Sequence, residues 1–121
     1  MYYFDMANSE YGLKNYDKAI ELYKKAIDAG DNKISSFYNT AVCYIKLHKY
    51  DNAICFLKIA ISKKADSKYY YNLGFCYSML NDNRKALMYF NTAWAIDNDD
   101  PDCKKAVNFI LNKYKKNKAG R

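Results

Sequence analysis

The chain has 121 residues, which is the size of one domain and leaves no room for a second. Half of its residues are hydrophobic, but they form neither a membrane span of roughly 20 residues nor a signal peptide, so we expect a soluble, cytoplasmic protein. The formal net charge of +7 does not indicate a nucleic-acid-binding domain, because residues 101–121 alone contribute +6, from seven Lys and Arg against one Asp.

The first predicted elements are an apolar segment from Tyr3 to Leu13 and an amphipathic helix that follows the polar turn Lys14-Asn15. In this helix the apolar residues recur three and four positions apart, while charged residues occupy the opposite side. The apolar side is formed by Leu13, Tyr16, Ala19, Ile20, Tyr23, Ala26 and Ile27. A short turn between two such segments predicts a helical hairpin.

The same arrangement returns twice along the chain. Apolar segments from Phe37 to Leu47 and from Tyr70 to Leu80 are each followed by a polar turn, at residues 48–49 and 81–83, and by another amphipathic helix. The apolar residues of these two helices are Tyr50, Ala53, Ile54, Leu57, Ala60 and Ile61, and then Ala86, Leu87, Phe90, Ala93 and Trp94. Strand-type alternation is absent, so we predict an all-α protein.

The C-terminal segment begins at Pro101, which suits the first turn of a helix. An apolar stripe of Cys103, Ala106, Val107 and Ile110 then predicts a capping helix over residues 101–117, followed by a basic tail at 118–121. The lysines of residues 113–121 would attract nucleic acid or an anionic surface by charge alone, which is one alternative function. Only Tyr114 is interleaved among them, so no base-stacking platform is predicted.

The reactive residue types do not form a catalytic or metal-binding pattern. The cysteines Cys43, Cys55, Cys76 and Cys103 lie 12, 21 and 27 positions apart, which fits neither paired metal ligands nor a disulfide framework, and we expect buried free thiols. The single histidine, His48, is an exposed turn residue without a nucleophilic partner. We therefore predict no metal, no cofactor and no enzymatic activity.

A period of about 34 residues with two helices per unit is typical of an α-solenoid. The residues at fixed places in each unit resemble the tetratricopeptide repeat family. The third repeat carries the pattern through Tyr70, Leu73, Gly74, Tyr77, Ala86, Phe90 and Ala93. The second carries it through Phe37, Ala41, Tyr44, Tyr50, Ala53, Leu57 and Ala60. The first carries it through Tyr3, Ala7, Tyr16, Ala19, Tyr23 and Ala26, but has Glu10 where Tyr44 and Tyr77 stand in the others.

This resemblance implies a right-handed α-solenoid of seven helices, with repeats at about 1–33, 34–66 and 67–100 and a capping helix at 101–117 in one domain over residues 1–117. The small residues at two places in each repeat allow the two helices of a hairpin to approach closely. They are Ala7, Ala41 and Gly74 on the first helices, and Ala19, Ala53 and Ala86 on the second helices.

The resemblance also implies a binding surface, because the family binds ligands in a concave groove lined by the first helix of each repeat. The groove residues are Phe4, Asn8, Tyr11, Tyr38, Asn39, Val42, Ile45, Lys46, Lys68, Tyr71, Asn72, Phe75 and Met79. The implied function is that of a non-catalytic adaptor that binds a peptide or protein segment. In the other interpretation, Phe4, Tyr38 and Tyr71 pack against their own neighbours inside a tight superhelix.

Two further alternatives stay open. Co-chaperones of the family that grip a C-terminal carboxylate use three cations and two asparagines, and at those five positions this chain has Phe4, Asn8, Asn39, Lys68 and Asn72. Two of the three cations are missing, so this pattern gives only weak support for a carboxylate clamp. The second alternative is a structural protein that self-associates through the uncapped first hairpin, whose outer apolar surface would include Tyr2 and Tyr23.

Overall fold

The computed structural model describes residues 2–119, and within that range all regular structure is α-helical. The helices are α1 (Tyr2–Gly12), α2 (Tyr16–Asp28), α3 (Lys33–Lys46), α4 (Tyr50–Lys63), α5 (Ser67–Met79), α6 (Asn83–Ile96) and α7 (Pro101–Ala119). The prediction of an all-α helical repeat with seven helices is thereby confirmed. In the described part of the chain, none of the helices is both long enough and apolar enough to cross a membrane.

The contacts of the chain divide into two compact units, Met1–Lys64 and Ala65–Arg121. The first contains α1 to α4 and the second contains α5 to α7. Residues 118 and 119 of the predicted basic tail belong to α7, and Gly120 and Arg121 lie outside the described residues. The single domain over residues 1–117 stays a prediction.

In the first unit, each helix packs on the next one along the chain. Ala7 and Ala19 are fully buried where α1 meets α2, and Ala41 and Ala53 are fully buried in the second hairpin. Side chains of one carbon let the helix axes approach closely enough for the larger neighbours to interdigitate. The burial of these alanines is what their predicted role requires.

In the first hairpin, polar contacts of Glu10 occupy the place where the second hairpin has an aromatic contact. In the second hairpin Tyr44 stacks on Phe56 with ring centroids 5.6 Å apart. At the corresponding place in α1, the Glu10 carboxylate accepts a hydrogen bond from Asn15 Nδ2 at 2.8 Å and lies 3.6 Å from Lys18 Nζ. Glu10 thus ties the end of α1 to the start of α2 at a half-buried site.

In the second unit, α5 packs on α6 and α6 packs on α7. Cys103 and Ile110 of α7 are fully buried, so this helix covers the third hairpin as expected. Its first turn is capped by Asp100, whose Oδ1 accepts a hydrogen bond from the backbone N–H of Asp102 at 2.9 Å. Asp100 therefore caps the start of α7.

Four predictions of buried residues are wrong. Tyr3, which the repeat pattern places in the same core register as Phe37 and Tyr70, is 40% exposed, and its ring faces Lys25 Nζ at 5.9 Å. Leu13 was predicted to lie on the apolar side of the second helix, but it is 69% exposed because it lies beyond α1 in the turn before α2.

At the start of α5 the buried tyrosine is Tyr69, at 4% exposure, whereas the predicted Tyr70 is half-buried and stacked on Tyr89. Among the cysteines, Cys55 is exposed because it lies on the outer side of α4.

The three hairpin turns share a backbone feature that the sequence did not indicate. Lys14, His48 and Asn81 have positive φ angles of 63°, 59° and 63°. The residue after each one donates its N–H to a carbonyl five positions back, as from Asn15 to Glu10 at 2.9 Å. This is the Schellman arrangement that ends many helices, and it usually places glycine at the left-handed position.

Candidate functional site

A cavity of about 350 Å³ lies among the first three helices, and we call it the α1–α3 cavity. It is lined by Asn8 and Tyr11 from α1, Tyr23 from α2, and Tyr38, Asn39 and Val42 from α3. Five of these six side chains belong to the predicted groove, and the structure brings them together. Tyr23 is the member that sequence reasoning assigned to the core.

The floor of the α1–α3 cavity is a polar cluster around the Tyr23 hydroxyl. Tyr23 is only 1% exposed, and its hydroxyl donates a hydrogen bond to Asn8 Oδ1. Burial is the main cause that raises the pKa of Tyr23 to about 12, while the Asn39 side chain acts in the opposite direction. At neutral pH this hydroxyl is protonated, so it remains a hydrogen-bond donor.

Aromatic side chains form the walls of the same cavity. Tyr11 is half-buried and meets Tyr16 edge-on, with centroids 5.6 Å apart, and burial raises the pKa of Tyr11. Tyr38 is half-buried on α3. Phe4 lies one turn before Asn8, with its ring 6.0 Å from the ring of Tyr23, and does not line the cavity. Burial also raises the pKa of Cys43, a neighbour of Tyr23, to about 12.

A second cavity, of about 460 Å³, lies in the second unit, and we call it the α5–α7 cavity. Its lining is formed by Tyr71, Phe75, Ser78 and Met79 from α5, Phe90 from α6, and Asp102, Lys105, Ala106 and Phe109 from α7. Met79 and Phe109 are 47% and 63% exposed, so apolar surface faces solvent here. Tyr71 packs against Phe90 with centroids 5.4 Å apart, and burial followed by the charge of Asp102 raises the pKa of Tyr71.

Five predicted groove residues lie outside the lining of these two cavities: Phe4, Ile45, Lys46, Lys68 and Asn72. Asn72 Nδ2 donates to the Lys68 carbonyl at 2.8 Å within α5, so one amide hydrogen is already used inside the helix. Lys46 and Lys68 have exposed side chains.

The structure also corrects the surface proposed for self-association. Tyr2 is exposed on α1, but Tyr23 is buried and cannot belong to an outer surface. The reason is that Tyr23 faces α1 and α3 at once, since its hydroxyl reaches Asn8. The sequence does distinguish Tyr23 from its counterparts. Leu57 and Phe90 occupy the equivalent positions in the later repeats, and neither carries a hydroxyl. No pattern in the sequence identified the α7 residues that line the α5–α7 cavity.

Comparison with protein families gives two matches. Residues 1–60 match the family described as "Anaphase-promoting complex, cyclosome, subunit 3". Residues 67–100 match the family described as "Tetratricopeptide repeat". The second match covers the third hairpin, where the sequence pattern is most complete.

Comparison with individual proteins gives chaperone-associated relatives. The heat shock protein STI1 of Saccharomyces cerevisiae is 29% identical over 110 residues, which is 89% of this chain and 19% of that protein. The chain thus spans about a fifth of this relative. The TPR2AB domain of yeast Sti1, solved in complex with pHSP90, has a TM-score of 0.87 and 25% identity over 98% of this chain and 48% of that one. The second TPR domain of human RPAP3, solved with the HSP70 peptide SGPTIEEVD, has a TM-score of 0.81 and 25% identity over 88% and 90% of the two chains.

Proposed function

Because the chain is a tetratricopeptide-repeat protein, we propose that it is a non-catalytic interaction module that binds a peptide or protein segment with the first helices of its repeats. The α1–α3 cavity carries this proposal, since it joins two asparagine amides to two accessible tyrosine rings. Amides can donate to and accept from a peptide backbone, while the rings of Tyr11 and Tyr38 supply apolar contact. Accessible aromatic rings grouped on one face commonly mark a binding site.

The α5–α7 cavity supports the same proposal through different chemistry. Its lining is mainly apolar, with Phe75, Met79 and Phe109 among the apolar residues and Asp102 and Lys105 as the two charged ones. We assign to it an apolar side chain of a bound segment. Burying one Leu, Ile or Met side chain of a ligand there would contribute on the order of 1.5 to 3 kcal/mol before the entropic cost of binding.

The chaperone peptides bound to similar domains support a peptide ligand for this chain. They do not support recognition of a C-terminal carboxylate. The human RPAP3 domain binds a peptide from HSP70, and the yeast Sti1 domain was solved with pHSP90. Asn8, Asn39 and Lys68 match the positions that grip a terminal carboxylate in co-chaperones of this family. Phe4 and Asn72 stand where those proteins have cations. We therefore propose a peptide ligand held by apolar contact and amide hydrogen bonds.

Selection from a phage-displayed library of random peptides, followed by calorimetric titration of a recovered peptide, tests this function. We expect Tyr38→Ala to weaken binding about 30-fold, the equivalent of about 2 kcal/mol for an interface aromatic residue. Asn39→Ala should weaken binding about 2- to 10-fold, as expected for one hydrogen bond. Both variants should keep the helix content and melting temperature of the wild type.

Two solvent-exposed positions provide controls for this titration. Tyr3→Ala on α1 and Ser35→Ala on α3 change exposed residues outside both cavities, and we expect unchanged affinity. If the wild type selects no peptide, the module does not bind short linear segments. If Tyr38→Ala and Asn39→Ala bind as the wild type does, the ligand occupies another face of the protein.

A further inference from the structure

We infer that the α1–α3 cavity selects an uncharged amide group, such as a backbone peptide unit or an Asn or Gln side chain, and rejects a carboxylate. We further infer that Tyr23 is the positioning residue that sets this selection. The inference rests on the proposed function, since it names the chemical group that the same site recognises.

The first argument is electrostatic. All six side chains that line the α1–α3 cavity are neutral, and the Tyr23 hydroxyl beneath it remains protonated at neutral pH. A carboxylate moved from water into such a site loses hydration and gains no opposite charge, whereas a neutral amide loses far less. The cavity therefore favours the amide.

The charged groups around the cavity do not alter this balance. Lys24 Nζ is directed to the Tyr44 hydroxyl at 3.1 Å and Lys18 Nζ to Glu10 at 3.6 Å. Lys46 extends into solvent at the end of α3. At the start of α1, Asp31 Oδ2 accepts the Phe4 N–H at 3.2 Å, which places a negative charge on the side where a carboxylate clamp would need a positive one.

The second argument concerns hydrogen-bond direction. The Tyr23 hydroxyl donates to Asn8 Oδ1, so both hydrogens of Asn8 Nδ2 are left for a ligand. Asn39 brings a second side-chain amide to the same cavity, and its Oδ1 can accept a hydrogen bond. The cavity thus presents a donor and an acceptor together. A peptide unit carries the complementary pair, a carbonyl oxygen and an N–H, whereas a carboxylate has no hydrogen to donate.

The third argument is that this arrangement is confined to the first repeat. Leu57 and Phe90 occupy the positions equivalent to Tyr23 in the second and third repeats, and both are buried without a polar group. An aromatic core position at this place does not require a hydroxyl. The hydroxyl of Tyr23 therefore has a role other than filling the core, and its contact with Asn8 identifies that role as orientation of the amide.

Titration with N-methylacetamide and with acetate, followed by NMR at the side-chain amides of Asn8 and Asn39, tests the selection directly. N-Methylacetamide represents a peptide unit, and acetate at neutral pH represents a carboxylate, with sodium chloride as the control for ionic strength. We expect saturable shifts with N-methylacetamide at a concentration at least about fivefold lower than with acetate. Equal or tighter binding of acetate, or no saturable shift with either compound, would overturn the inference.

Three variants test the part played by Tyr23. Tyr23→Phe removes only the hydroxyl and should weaken N-methylacetamide binding about threefold or more while freeing the Asn8 amide to rotate. Tyr3→Phe is the matched control at an exposed tyrosine outside the cavity. Phe4→Lys introduces a cation one turn from Asn8 and should shift the preference toward acetate. If Tyr23→Phe does not fold, the Phe4→Lys result still decides the electrostatic argument, and an unchanged preference in that variant would contradict it.

These small-molecule probes separate the inference from the proposed function. If no peptide binds the protein but N-methylacetamide still saturates at Asn8 and Asn39, the proposed module is wrong and the site chemistry is right. If peptides bind well and a C-terminal amide weakens them about tenfold or more relative to the free acid, the module is right and the preference for a neutral amide is wrong.

Discussion

Gly74 shows how a single missing side chain sets the distance between two helices. A Cβ atom added at this buried position in α5 would lie 2.5 Å from Phe90 Cδ1 in α6, closer than real Cβ contacts occur. The neighbouring atoms of the same ring are also within 3.0 Å, so the ring as a whole would have to move. Phe90 lines the α5–α7 cavity, and the fit of this glycine therefore also determines the shape of a candidate binding site.

We expect Gly74→Ala to lower the free energy of unfolding by about 1 to 3 kcal/mol through overpacking. The higher helix propensity of alanine would by itself raise stability by up to about 1 kcal/mol, so a net loss isolates the steric effect. Urea denaturation measures the difference. Gly12→Ala is the matched control, because a Cβ at Gly12 meets nothing within 4 Å, and equal losses at both positions would contradict the packing described here.

At the scale of a helix and its turn, the three hairpins end their first helices in the same way with three different residues. Lys14, His48 and Asn81 all adopt a left-handed backbone, which costs roughly 1 kcal/mol for residues other than glycine. Asparagine and histidine are enriched among the non-glycine residues that adopt this conformation, whereas lysine is not. His48 is supported locally, since its Nδ1 lies 2.8 Å from the Tyr50 hydroxyl.

Lys14→Gly should therefore raise the free energy of unfolding by about 0.5 to 1 kcal/mol. The gain from relieving the backbone strain is partly offset by the greater freedom of glycine in the unfolded chain. Thermal unfolding followed by circular dichroism measures the change. Lys14→Ala keeps the strain and removes the charge, so it should bring no gain, and an equal rise in both variants would assign the effect to the charge of Lys14.

The positions of the helices could be predicted from the sequence because apolar spacing is a local property of each segment. The left-handed turns could not, since three different residue types occupy the position and none of them is glycine, the usual residue there. The difference between Tyr69 and Tyr70 was also beyond prediction. Both fit a repeat pattern of aromatic residues, and only the packing of α5 decides which of them is buried.

For the whole molecule, the sequence predicted those residues of the candidate site that recur with the repeat pattern. The amides and aromatic residues of α1 and α3 were identified because they leave the core register, and they do line one cavity. The contribution of α7 to the second cavity was not identified. A capping helix carries no repeat pattern, so the direction of Lys105 and Phe109 depends on tertiary packing alone.

Binding of a peptide should stabilise the entire chain if the ligand recognises only the folded protein. A peptide at 100 times its dissociation constant should raise the free energy of unfolding by about 2.7 kcal/mol, which corresponds to a rise of several degrees in melting temperature. Scanning calorimetry with and without the peptide measures the shift. Tyr38→Ala, which should bind about 30-fold more weakly, should reduce the gain to about 0.9 kcal/mol at the same peptide concentration. An undiminished shift in this variant would indicate that the ligand binds elsewhere.

The burial of three of the four cysteines leaves one thiol, that of Cys55, to which a label can be attached selectively. Cys43, Cys76 and Cys103 are buried, and burial raises their pKa values to about 12, 12 and 11, so they present almost no reactive thiolate at neutral pH. Cys55 is exposed on α4 and lines neither candidate cavity. A maleimide dye or spin label can therefore be placed on a single site of the unmutated chain, where it reports on a bound ligand without occupying the ligand's place.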